Sequence, residues 1–62
     1  MTNRAAPGEV YIEFVKVGAQ VKATAIDAET GLEVSVFGPA FAARSDLQQL
    51  VLAKLKRQKD KR

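Results

Sequence analysis

The 62-residue sequence contains no cysteine, no histidine and no tryptophan. The first absence excludes a disulfide staple, a thiolate metal site and a thiol redox motif. The second removes the commonest metal ligand and the commonest general base at neutral pH. No apolar run approaches the roughly 18 residues of a membrane helix, so no membrane association is expected. Met1 to Pro7 holds one arginine and no apolar core, so no secretion signal is read there. Together with the missing cysteines, this sets a cytoplasmic location as the expectation.

What remains is ordinary globular material, 47% hydrophobic and 27% charged. It is enough for one domain at most. A chain this short buries only about 60% of the surface its unfolded form exposes. Its core therefore leaves it marginal, and with no disulfide or metal a partner chain is the remaining source of stability. The net charge of +3 is unevenly spread. Residues 54–62 hold six basic side chains against Asp60, a net of +5, while the other 53 residues carry four basic and six acidic ones, a net of −2.

Residues 1–8 read as a flexible N-terminal arm, with nothing to offer a core. Residues 9–58 read as one domain and 59–62 as a frayed basic tail. Within the domain, Glu9 to Val17 is rich in β-branched and aromatic residues and reads as a first strand. Gly18-Ala19 places glycine first in a two-residue hairpin loop, as a type II′ turn requires. Gln20 to Asp27 is the second strand. Ala28 to Gly31 is a four-residue loop whose glycine is expected at positive φ. Leu32 to Phe37 is the third strand, with Gly38-Pro39 as its stop. Ser45 is expected to cap the helix, with Gln48 in capping-box position and Asp46 at the positive end of the dipole. Leu47, Leu50, Val51 and Leu55 fall within an arc of about 140° at helical period. Beyond about Gln58 the helix is expected to fray.

The two loops dictate register. Gly18-Ala19 pairs Val17 with Gln20, and Ala28 to Gly31 pairs Asp27 with Leu32. Val10, Ile12 and Phe14 then share a face with Val21, Ala23 and Ala25, and with Leu32, Val34 and Val36. A one-residue slip would reverse the third strand's faces. The expected fold is α+β: a three-stranded antiparallel meander in order 1-2-3 with one C-terminal helix packed on the apolar face (βββα). The expected core is those nine strand residues with Leu47, Leu50, Val51 and Leu55, and Phe41 is placed near the helix start. The opposite face carries Tyr11, Val15, Val17, Ile26 and Phe37 among Glu13, Lys22, Thr24, Glu33 and Ser35.

No catalytic arrangement emerges. Ser35 lies mid-strand with no base at hand, and Ser45 has its role as a cap. Glu13 and Glu33 read as solvated strand glutamates rather than an acid–base pair. No loop has the spacing of a calcium site, and the glycines are isolated turn residues that make no phosphate cradle. The chain also lacks the volume for a pocket of about 300 Å³ unless subunits build one between them. The reading is a protein that is not an enzyme and takes no cofactor.

Two functional classes follow. The first is a small interaction module, a homodimer or larger assembly or one that docks on a protein. Its interface is sought on the outer face at Tyr11, Val15, Ile26 and Phe37, widened by Leu52; packing through that face is ranked slightly above strand-edge pairing. The alternative is an accessory nucleic-acid or ribosome-surface binder that uses Lys54, Lys56, Arg57, Lys59, Lys61 and Arg62. A sheet that reads a major groove should be basic. Here Lys22 stands against Glu13 and Glu33, so only the tail could serve.

The runs Glu13-Phe-Val, Val21-Lys, Ala25-Ile-Asp, Thr30-Gly, Glu33-Val-Ser and Gly38-Pro-Ala, with Leu50 and Lys54-Leu55 on the helix, are specific as a set. They resemble a family of very short alphaproteobacterial proteins, a domain of unknown function, over about residues 9–56. Some relatives carry the name serine hydroxymethyltransferase. This chain is far too short for that fold and shows no pyridoxal phosphate site. The resemblance implies no catalytic or binding residue.

Overall fold

The computed structural model describes residues 9–61; the expected arm, residues 1–8, and Arg62 lie outside the described residues. The elements are β1 (Val10–Val17), β2 (Gln20–Asp27), β3 (Glu33–Pro39) and α1 (Arg44–Asp60). The strands form one antiparallel sheet in order β1-β2-β3, and α1 covers one face, as expected.

Both hairpins have the expected register. Gly18 takes φ 61°, and no described non-glycine residue has positive φ. Only the first loop residue is therefore left-handed, and the turn closes with Val17 opposite Gln20. Gly31 takes φ 78° in the second loop, which brings Ala25 opposite Val34. The Asp27 N–H donates to the Leu32 carbonyl at 2.8 Å and carries the ladder to the loop.

The third strand runs on through Gly38 and Pro39 rather than stopping before them. The Ala40 N–H donates to the Ala19 carbonyl at 2.9 Å. Bonded and non-bonded pairs alternate in an antiparallel ladder, so Pro39, opposite Gln20, sits at a pair whose amides point away from β2. Proline loses nothing at such a site on an edge strand.

The helix begins before Ser45. Ala43, extended at φ −66° and ψ 135°, is its N-cap and makes no side-chain cap bond. Asp46 and Leu47 donate to the Ala43 carbonyl at 3.1 and 3.2 Å, which places Ser45 inside the first turn. The cause is the tight connection: the Ala42 N–H bonds to the Pro39 carbonyl at 2.9 Å and Ala42 packs against the core, so the chain is already turned into the helix at Ala43. Phe41 consequently points out, 91% exposed, rather than packing near the helix start. At its other end α1 continues two residues past Gln58 to Asp60, where Lys59 is tied to β2.

The core is Val21, Ala23, Ala25, Val34, Leu47, Val51 and Leu55. Side-chain size positions the helix. Ala23, Ala25 and Gly38 leave a trough in the sheet, whereas β1 presents Val10, Ile12 and Phe14. A Cβ placed on Gly38 would meet Leu47 Cδ2 at 2.5 Å. Helix α1 accordingly packs on β2 and β3 and barely touches β1. Leu50, expected in the core, is 58% exposed. It lies about 100° from the centre of the Leu47–Val51–Leu55 stripe, on the side that overhangs the β3 edge. Leu52 lies about as far round on the β1 side and is half-buried.

The same truncation at two helix positions should therefore give unlike results. Leu55→Ala should cost about 2–5 kcal/mol by leaving a cavity. Leu50→Ala should stay within about 0.5 kcal/mol, as exposed substitutions do. Denaturant midpoints at one protein concentration measure both.

Candidate interaction surface

On the outer face, the cross-strand pairs form rows. Tyr11, Ile26 and Glu33 make one, Glu13, Thr24 and Ser35 the next, and Val15, Lys22 and Phe37 a third. Tyr11 and Ile26 face each other directly. The polar second row divides them from Val15 and Phe37, and Lys22 stands between those two. Thr24 Oγ1 and Ser35 Oγ are joined at 2.9 Å, and Thr24 is buried although it faces outward. The expected interface residues thus fall into separate pieces. Leu52 sits on the helix side of the sheet and cannot widen a contact made through the outer face.

The inner face tells a different story at β1. Val10, Ile12 and Phe14 pack against the core's flank but are only half-buried, because α1 is seated over β2 and β3 and reaches them only from the side. The Arg44 guanidinium stands 5.3 Å over the Phe14 ring and is the one cation–π cover there. The backbone edge beside these residues is open. The Ala28 N–H donates to the Glu9 carbonyl at 3.0 Å, so by alternation Tyr11, Glu13, Val15 and Val17 face β2. Val10, Ile12, Phe14 and Lys16 turn their N–H and C=O groups outward, and among the described residues these have no partner.

The β3 edge is interrupted instead. Lys54 Nζ donates to the outward Ser35 carbonyl at 2.9 Å. Pro39 has no N–H, and its carbonyl is taken by Ala42. Lysine and proline on an edge are established guards against strand addition.

An open groove of about 330 Å³ lies between β1 and the end of α1, lined by Val10, Leu52, Leu55, Lys56, Lys59 and Asp60. The chain is therefore large enough to form one, contrary to the expectation from its length, because the off-centre helix leaves a gap above Val10. Its apolar side is Val10, Leu52 and Leu55; its charges stand at the rim.

Of the basic residues at the helix end, Lys54 is engaged on Ser35. Lys59 Nζ reaches Asp27 Oδ1 at 3.5 Å. Lys56, Arg57 and Lys61 are exposed; Arg62 lies outside the described residues. Asp27 is 1% exposed. Its Oδ2 accepts from the Thr30 N–H at 3.1 Å and the Thr30 hydroxyl at 2.6 Å. The Thr30 hydroxyl, above all, holds the Asp27 carboxyl below its ordinary value of 3.8, against the opposing effect of burial; the Thr30 N–H and the Lys59 ammonium add to the lowering. Asp27 thus fastens the second loop and the helix end to the sheet, and sequence reading missed it. The available signal was an aspartate three residues before a threonine in a glycine-closed loop.

Glu13 and Glu33 stand in different rows, opposite Thr24 and Ile26. Among the described residues no group of three or more acidic side chains could hold a metal ion, and no helix is long and apolar enough to cross a membrane.

Residues 7–62 match the family described as a domain of unknown function, DUF6898. No curated protein and no solved structure matches the chain.

The Asp27 node predicts a pH dependence. A carboxyl with a lowered folded value contributes stability that is complete above its unfolded value of 3.8 and disappears as pH falls through the folded one. The thermal melt should therefore drop when pH is taken from 5 to below 3. Asp27→Asn should melt lower than the parent at pH 7 and lose less on acidification. Circular dichroism melts across that range check both.

Proposed function

We propose that this chain, which belongs to the DUF6898 family, is a small non-catalytic interaction module that works as a self-associated unit. The observation that carries the reading is β1. It is a strand of eight residues whose outer edge is unpaired among the described residues, with an apolar inner face that its own helix leaves half-covered. A chain of this size has little core to spare, and burying Val10, Ile12 and Phe14 in an assembly would add to it at about 25 cal/mol per Å² of apolar surface. Supporting this, no described cluster of side chains combines a nucleophile, a base and an enclosing cavity. The polar groups with defined partners, Asp27, Thr30, Ser35, Lys54 and Lys59, are engaged within the fold.

Sedimentation should give a multiple of the monomer mass at high concentration. The melting temperature should rise with protein concentration, because association stabilises by mass action. A monomer with a concentration-independent melt overturns the proposal.

A further inference from the structure

We infer that two copies join through the free edges of their β1 strands, antiparallel about a two-fold axis at Ile12, so that two three-stranded sheets become one of six strands. The inference rests on the self-association proposed above and names its surface.

The backbone limits the choices. Only Val10, Ile12, Phe14 and Lys16 offer outward N–H and C=O groups, so these must pair with one another, even-numbered residue to even-numbered residue. A two-fold axis makes the central residue meet itself. An axis at Glu13 sets that glutamate against its own copy at the closer, non-bonded kind of pair, where like charges destabilise. An axis at Phe14 sets Ile12 against Lys16 and Val10 against Gly18 of the turn. An axis at Ile12 sets Ile12 on Ile12 and Val10 on Phe14 across the inner face, with Tyr11 beside Glu13 on the outer one. Of these three registers it alone keeps Lys16 from facing an apolar side chain of the other copy, so that every inner-face pair between described residues is apolar.

Two further features fit that register. Phe14 of the second copy comes opposite Val10, at the mouth of the groove that Val10, Leu52 and Leu55 line. The partner then supplies the apolar group the groove lacks, and Leu52 gains a contact on the helix side rather than through the outer face. The two-fold axis also runs the two helices antiparallel, so the terminal segments of net +5 lie on opposite sides of the axis rather than side by side. The outward row of the β3 edge is broken in its middle by Lys54 on the Ser35 carbonyl and closed at its end by Pro39.

The absence of cysteine lets single-cysteine variants report the interface directly. Under mild oxidation Ile12→Cys should convert to a covalent dimer. Leu50→Cys, beside the β3 edge, and Phe37→Cys, on the outer face, should stay monomeric on denaturing gels. If either of those links and Ile12→Cys does not, the edge assignment is wrong while self-association stands. If the parent itself sediments as a monomer, both fall. Ile12→Pro removes only an outward N–H and spares the β1–β2 ladder, so it should sediment as a folded monomer with an unchanged far-ultraviolet spectrum. A persisting dimer of Ile12→Pro overturns the inference. Should that variant unfold, the cysteine pattern decides alone.

Discussion

Everything distinctive about this protein depends on where one helix can approach one small sheet. Ala23, Ala25 and Gly38 are the positions with little or no side chain, and the Leu47–Val51–Leu55 stripe sits into the trough they leave. Dispersion and burial both favour the closest approach, and the larger residues of β1 deny it on that side. The helix is therefore off-centre. From that follow the exposed Leu50, the half-buried Leu52, the groove above Val10 and the half-covered inner face of β1.

Charged side chains then hold that placement. Lys54 reaches down to the β3 edge and Lys59 to Asp27, one on each side of the helix axis. The same seating that leaves β1 open places a lysine where it blocks β3. The two edges of the sheet are thus chemically unlike: one is interrupted by Lys54 and Pro39, the other presents a row of backbone groups that have no partner among the described residues, beside apolar side chains. In a sheet of three strands this asymmetry leaves one edge more open to strand addition than the other.

The basic C-terminal segment looks like a ligand-binding tail when read as a string of charges. In three dimensions two of its lysines are structural. That weakens the tail's claim as an electrostatic surface, since phosphate binding scales with the number of free cations.

Secondary structure and both hairpin registers were legible in the sequence by itself. A two-residue loop with glycine first and a four-residue loop with glycine last leave few geometries, and alternation then assigns every strand residue to a face. The helical period likewise identified Leu47, Val51 and Leu55. Periodicity, however, describes an element about its own axis only. Leu50 and Leu52 lie equally far from the buried stripe, about 100° to either side, and nothing local distinguishes them. Their different burial was decided by which strand lies beneath. The same holds for Phe41, which gave way to Ala42 because only the short connection to the helix shows which of the two turns inward. It holds for half of Asp27's role: its bonds to Thr30 are local, but its link to Lys59, 32 residues away, is not. Local turn chemistry determined the sheet. The lateral seating of the helix, a matter of side-chain volume summed across three strands, was decided only in the tertiary structure.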